Sequence, residues 1–335
     1  IRAEDIETKA AKHLLEVKEL RTGFSSDGSM IVPVDGVSFY VDPKETLAIV
    51  GESGCGKSVT SMSILGLVHK QNGKILSGEI LFKGRNLLKC TEKEMCKIRG
   101  KEIAMIFQEP MTSLNPLFTV GEQIKEALKI HLSITGEEAD KRVERLLELV
   151  EIPSAKQRMN QYPHELSGGM RQRVMIAMAL SCNPELLIAD EPTTALDVTI
   201  QAQILELLGR LKKELGMSVI LITHDLGVVA ETAQRVMVMY AGTVVECTGV
   251  KELFNHPKHP YTQGLLKSLP SLEEDQDELP IIRGTVPDLR KLHQGCRFAP
   301  RCDFAADICW KGEPDMYGSK EHTVRCFQCS KEWGT

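Results

Sequence analysis

No stretch of this 335-residue chain reaches the roughly 18 consecutive apolar residues that a membrane-spanning helix needs. Basic residues are also in short supply: Lys and Arg number 41 against 46 Asp and Glu, for a net charge of −5 and a pI near 6.1. That balance gives no sign of a general nucleic-acid binder. The opening residues, Ile1-Arg2-Ala3-Glu4-Asp5, lack the apolar core of a signal peptide. Repeats of solenoid length and low-complexity tracts are missing too, which excludes repeat arrays and compositionally biased segments. What remains is 42% hydrophobic and 26% charged, an ordinary globular composition, with length for two or three compact units.

The most informative stretch is Gly51-Glu52-Ser53-Gly54-Cys55-Gly56-Lys57-Ser58. The apolar run Thr46 to Val50 leads in as a strand, and a helix-compatible run from Val59 to Leu67 leads out. This is G-x-x-x-x-G-K-S in the strand–loop–helix setting that a phosphate-binding loop requires. Its glycines let successive N–H groups turn inward onto phosphate oxygens, and the helix N-terminus points at the same anion. Lys57 is expected to reach the β- and γ-phosphates and the Ser58 hydroxyl to ligate Mg²⁺. The stretch binds a nucleoside triphosphate.

Residues 14–19 and 31–41 read as an antiparallel ribbon joined by turn residues Ser25 to Ser29. Phe24, just before that turn, is placed to stack on a nucleotide base or to cap a strand end. Gly78 to Phe82 and Ile103 to Phe107 read as further strands, the second ending at Gln108. Residues 120–151 change period: Val143, Leu146, Leu147 and Val150 fall at helical spacing, a helical insertion in an α/β domain. Leu166-Ser167-Gly168-Gly169-Met170-Arg171-Gln172-Arg173 leads into an apolar helix, whose Met and Ala residues read as core. Ser167-Gly168-Gly169 thus opens a second helix N-terminus suited to an anion.

Leu186 to Ala189 reads as a buried parallel strand that ends in Asp190-Glu191. Asp190 there suits Mg²⁺ binding, and Glu191 suits orienting or deprotonating a water aimed at a γ-phosphate. Val219 to Thr223, closed by His224, repeats the pattern, and residues 236–246 form a last hairpin around Ala241-Gly242. The acidic stretch 272–278 reads as a solvated linker.

Five of the ten cysteines are scattered: Cys55, Cys90, Cys96, Cys182 and Cys247. The other five, Cys296, Cys302, Cys309, Cys326 and Cys329, crowd the C-terminal end. A reducing compartment argues against disulfides and makes metal the default reading for the cluster. Its spacing matches neither usual zinc sites nor ferredoxins, so iron–sulfur, zinc and unligated thiols all stay open. His256 and His259 could be ligands, but the prolines beside both favour a packed turn.

The phosphate loop, Gln108, Leu166 to Arg173, Leu186 to Glu191, Thr194-Ala195-Leu196-Asp197 and His224 occur in the order seen in the ATPase subunits of ABC transporters. The resemblance covers roughly residues 14–250. It implies an α/β phosphate-loop NTPase fold, with a RecA-like core, an antiparallel β subdomain and a helical insertion at about 111–185. It further implies Glu191, His224, Gln108 and Lys57 as catalytic residues, with His224 on the γ-phosphate and Ser58, Gln108 and Asp190 about Mg²⁺. ATP would be held by Phe24, Gly51, Ser53, Gly54, Cys55, Gly56, Lys57, Ser58 and Val59. Ser167, Gly168, Gly169 and Asp197 would serve the nucleotide of a second ATPase subunit, identical or paralogous, paired head-to-tail.

Phe254 to Thr262, Leu265 to Pro270 and the Cys-containing end resemble the C-terminal extension, here 251–335, of dipeptide/oligopeptide importers. That likeness implies a [4Fe–4S] cluster on Cys296, Cys302, Cys309 and Cys326, with Cys329 as the alternative fourth ligand. The implied partners are two transmembrane permease subunits and, indirectly, a substrate-binding protein, with no nucleic acid. The implied location is the cytoplasmic face of the cell membrane, residues 1–13 being an N-terminal extension. Relatives with similar tails serve nickel or other solutes, and soluble ABC ATPases that act on nucleic acid form the rival class.

Overall fold

The computed structural model describes residues 12–26, 29–108, 113–194, 196–268 and 282–330. Its strands, in chain order, are β1 (Leu15–Ser26), β2 (Ser29–Val41), β3 (Thr46–Val50), β4 (Gly73–Phe82), β5 (Arg85–Asn86) and β6 (Ile103–Ile106). They continue with β7 (Leu186–Asp190), β8 (Ser218–Ile222), β9 (Arg235–Tyr240), β10 (Thr243–Gly249), β11 (Tyr317–Gly318) and β12 (His322–Val324). The chain divides into two compact units, one of Ile1–Asp42, Thr46–Leu88 and Thr223–Thr335, the other of Pro43–Glu45 and Lys89–Ile222.

In the first unit β1 pairs antiparallel with both β2 and β4, and β4 with β5. The expected ribbon is longer than its apolar residues suggested, because register irregularities interrupt the alternation between Val17 and Phe24. Alternation resumes along β2, where Val34, Val37, Phe39 and Val41 are buried. β3 is buried at all five positions and runs parallel to β9. β9 and β10 form the expected hairpin, with Ala241 at φ 44° and Gly242 at φ 90°, the twisted turn that suits two-residue hairpins.

The Cys-rich end belongs to this same unit. β12 pairs antiparallel with β10, and β11 with β12. Glu246 of β10 is fully buried and ties the connection together. Its Oε1 accepts from Lys258 N–H at 2.8 Å and lies 2.7 Å from His322 Nε2, while Oε2 accepts from His259 N–H at 3.0 Å. His259 is buried, and its Nδ1 accepts from Tyr261 N–H at 3.0 Å at the start of the helix Pro260–Lys267. The packed-turn reading suits His259. His256 differs: its side chain is exposed and lies 3.3 Å from Glu252.

In the second unit β6, β7 and β8 are parallel, and every residue of β7 and β8 is buried, as continuous apolar runs in parallel strands require. The helical insertion contains Val120–Leu132 and Gly136–Leu149. Thr119 and Glu122 form a capping box on the first of these, and Val143, Leu146 and Leu147 form the buried stripe of the second. Arg173 binds Val150 C=O and Glu151, both at 2.8 Å. Residues 109–112 and the acidic stretch 272–278 lie outside the described residues.

Removing the Glu246 carboxylate leaves the Lys258 and His259 N–H groups and His322 without their acceptor. Glu246→Ala is expected to cost about 2–3 kcal/mol, read as a lower denaturation midpoint with a similar slope.

Candidate functional site

β3 delivers the chain into the loop 51–58, and the following helix, Lys57–Ile64, begins two residues earlier than its apolar run. Two glycines are fixed by close backbone approach. At Gly51 (φ 151°) a Cβ would lie 2.2 Å from Met239 O, and at Gly56 (φ 103°) 2.1 Å from Pro33 O. No side chain fits there. The Lys57 ammonium is buried and donates to Gly51 C=O at 2.7 Å and Glu52 C=O at 3.1 Å. Ser53 and Gly54 are exposed at the loop tip, and Ser58 and Val59 are half-buried in the first helical turn. Cys55 is buried, which pushes its thiol above the usual range, and its carbonyl accepts from Gly242 N–H at 3.1 Å.

Phe24 is half-buried on β1 and pairs with Ile31 and Gly73. Its ring packs on Gly73, where a Cβ would stand 2.7 Å from Phe24 Cε1. His224 is exposed. The next residue, Asp225, caps the helix Leu226–Thr232 by accepting from Gly227 N–H at 2.8 Å and Val228 N–H at 3.2 Å.

The second unit brings Gln108 and Glu191 together. Asp190 is the buried last residue of β7, and Glu191 follows at φ 45°. A non-glycine residue there carries backbone strain of about 1–3 kcal/mol, of the kind that gathers at functional sites. Glu191 N–H donates to Ile222 C=O at 2.9 Å, which holds the turn. Its Oε2 accepts from Gln108 Nε2 at 3.0 Å and from Thr194 Oγ1 at 2.9 Å. Two polar groups thereby orient the carboxylate.

Ser167 caps the helix Gly168–Leu180, accepting from Met170 N–H at 3.3 Å. Asp197 caps Val198–Leu215, accepting from Ile200 N–H at 3.0 Å. The two helix starts touch: a Cβ on Gly169 would lie 3.0 Å from Ile200 Cγ2, and one on Gly168 3.9 Å from Leu196 Cδ2. Gln172, buried in the first of these helices, donates to Pro192 C=O. Sequence reasoning named Thr194 and Gln172 only as members of their motifs and gave neither a role, because a hydroxyl or amide carries no signal until the fold aims it.

All ten cysteines are free. Cys296, Cys302, Cys309 and Cys326 line one small cavity with His259, Phe298 and Phe327. Cys329 is exposed and is not among its walls. Burial pushes the Cys296 thiol up to about 11 and Cys326 to about 12. Among the described residues no group of three or more His, Cys, Asp or Glu is disposed to hold a metal ion. A single tetrahedral ion draws its thiolates to within ~4 Å of one another, given Zn–S bonds of ~2.3 Å. A four-iron cluster takes one thiolate at each of four corners. Four sulfur donors facing one cavity are the donor type that either group takes.

A strand-to-helix phosphate loop in a mixed α/β chain defines a phosphate-loop nucleotide-binding protein. The sequence profile described as "ABC transporter" matches residues 34–194, and the one described as "Oligopeptide/dipeptide transporter, C-terminal region" matches 245–309. The chain is 56% identical over 320 residues to the oligopeptide transport ATP-binding protein AppD of Bacillus subtilis, covering 95% of this chain and 98% of that one. It is 57% identical to the oligopeptide transport ATP-binding protein OppD of the same organism, covering 94% and 88%. A dimeric ATP-binding cassette solved in a post-hydrolysis state with ADP and Pi superposes with a TM-score of 0.62 at 30% identity, covering 70% of this chain and 98% of that one. The chain belongs to the ABC transporter ATP-binding proteins, an ATPase family, and carries the C-terminal region of their oligopeptide/dipeptide group.

Asp197 already has a structural duty, so its substitutions separate two roles. Asp197→Asn keeps a capping oxygen and is expected to retain stability, whereas Asp197→Ala should lose about 1 kcal/mol, both read by thermal unfolding. Lower ATP turnover in Asp197→Asn at full stability would reveal a role beyond the cap.

Proposed function

We propose that this chain hydrolyses ATP to power the uptake of oligopeptides or dipeptides through two transmembrane permease subunits. The observation that carries the ATPase half is the Glu191 carboxylate, held at a strained turn by Gln108 and Thr194. The peptide half rests on the C-terminal region matched at 245–309 and on relatives named for oligopeptide transport.

In this reading residues 14–250 form the ATPase domain, with its helical part at about 111–185, and 251–335 the extension. Lys57 and the loop N–H groups of Gly51 to Val59 bind the β- and γ-phosphates, and Phe24 borders the base. Glu191 orients the attacking water and takes its proton, while Gln108 and His224 position that water and the γ-phosphate. Mg²⁺, when bound, neutralises phosphate charge. Ser58 and Asp190 supply oxygen donors of the right hardness for it.

Ser167, Gly168, Gly169 and Asp197 act on the nucleotide of a second ATPase subunit, a paralogue or a second copy, in a head-to-tail dimer. The dimeric arrangement of the related cassette supports that pairing. Among the described residues no helix is long and apolar enough to cross a membrane, in keeping with a peripheral subunit held by permeases at the cytoplasmic face. A substrate-binding protein meets the chain only through those permeases.

A second reading concerns the tail. Cys296, Cys302, Cys309 and Cys326, gathered around one cavity, support a [4Fe–4S] cluster that staples a segment poor in apolar residues. Such a cluster, when bound, adds four metal–thiolate bonds to the segment's folding. Protein isolated without oxygen should contain iron and acid-labile sulfide near four each per chain. Zinc alone, or no metal, would count against the cluster.

The test of the ATPase roles is Glu191→Gln. Turnover should fall by at least 100-fold while Mg·ATP binding persists and the subunit pair accumulates in its ATP-bound form, seen by size-exclusion chromatography. Unchanged turnover would remove Glu191 from the chemistry.

A further inference from the structure

Of the two arginines between Cys296 and Cys302, Arg301 reaches the phosphate loop and Arg297 the turn beside it. Arg301 is 5% exposed in its side chain. Its Nη1 and Nη2 donate to Glu52 Oε2 and Oε1 at 2.6 and 3.0 Å, a two-pronged bond to the second residue of the loop. Its Nε donates to Arg283 C=O at 2.8 Å, which fixes the plane of the fork. Glu52 N–H donates in turn to Tyr261 Oη at 2.9 Å, and Glu52 C=O accepts from Lys57 Nζ at 3.1 Å. The residue that helps hold the phosphate-binding lysine is thus pinned twice by residues beyond position 250.

Arg297 braces the opposite side. It donates from Nη1 to Ala241 C=O at 2.7 Å, from Nε to Glu313 at 2.7 Å, and from Nη2 to Asp35. Ala241 precedes Gly242, whose N–H donates to Cys55 C=O in the loop. Between the two arginines Phe298 sits on Tyr240 and Tyr261, with ring centroids 5.2 and 5.5 Å apart. Both tyrosines are fully buried, so the platform under the fork is rigid. Arginine suits this duty because its fork matches a carboxylate in two places and keeps its charge when buried.

We propose that Arg301 is a positioning residue for the phosphate loop, acting through Glu52, and that the Cys296–Cys302 segment thereby governs nucleotide affinity. The inference rests on the ATP-site reading above. It differs from a purely structural tail because the contact falls on the loop itself, one residue after Gly51. Loosening the fork frees Glu52 and with it the carbonyl that holds Lys57, so the loop must be ordered again on binding.

The test measures Mg·ATP affinity by calorimetry on the full chain, with steady-state turnover and thermal unfolding beside it. Arg301→Ala is expected to weaken affinity about tenfold, in line with loss of a charge-assisted pair, with KM affected more than kcat. Glu52→Ala should do the same, and the double variant should be no weaker than either single one. Arg301→Lys, which keeps the charge but not the fork, should fall between. Exchanging the pair, Glu52→Arg with Arg301→Glu, should recover part of the loss, and this arm carries the test if Arg301→Ala fails to fold. Unchanged affinity in Arg301→Ala, with Lys57→Ala losing binding as expected, overturns the proposal and leaves the ATP-site reading standing. A drop in unfolding temperature with no change in affinity also overturns it. Failure of the unaltered chain to bind Mg·ATP would overturn the ATP-site reading, and this proposal with it.

Discussion

The first unit depends on backbone-to-backbone contact around the phosphate loop. Gly51 and Gly56 bring the loop so close to Met239 O and Pro33 O that no Cβ can intervene. Such an approach is possible only if β9 and β2 are themselves held firmly. β9 is held by its parallel pairing with β3 and its hairpin with β10, and β2 by its long antiparallel pairing with β1. The loop is a rigid cradle because the strands under it are rigid. Ordering already present in the fold does not have to be supplied when a ligand arrives.

The C-terminal extension adds a second layer of the same constraint. It joins β10 through β12, meets the buried Glu246 carboxylate through the 258–259 amides and His322, and reaches Glu52 through Arg301 and Tyr261. Buried charges are costly unless they are paired and hydrogen-bonded. Arg297 and Arg301 meet that condition with several acceptors each. Their cost is accepted at the edge of a phosphate-binding loop, where geometry matters most. Cys296 and Cys302 are the chain neighbours of Arg297 and Arg301.

Local chemistry made much of this legible in the sequence. The phosphate loop declares itself by glycine spacing. β7 and β8 declare themselves as unbroken apolar runs, and the insertion helices by their period. The 241–242 turn and the helix start at Ser167 were visible for the same reason: each is decided by neighbours a few residues away. Illegible were the contacts that need tertiary placement. Arg301 and Glu52 are 249 positions apart, and nothing near either marks it as paired. Thr194 and Gln172 are ordinary polar residues until Glu191 and Pro192 arrive beside them. His256 and His259 have nearly the same neighbours, yet only one is buried, because only His259 occupies the helix cap beneath Glu246.

The caps also bear on how a residue can serve two masters. Ser167 accepts from Met170 N–H, but a hydroxyl that accepts still has a proton to donate. Its capping role therefore leaves free the function that an anion would call on. Asp197 is different. A carboxylate only accepts when ionised, so its cap on Ile200 N–H occupies one oxygen and leaves the other to meet a donor. Beyond its cap, Ser167 thus keeps a proton to donate and Asp197 an oxygen that accepts. That division of labour follows from the donor inventory of the two side chains. It also explains why a helix start with Ser-Gly-Gly, where Gly169 packs closely on Ile200, can stand beside an acidic cap without the two competing for one partner.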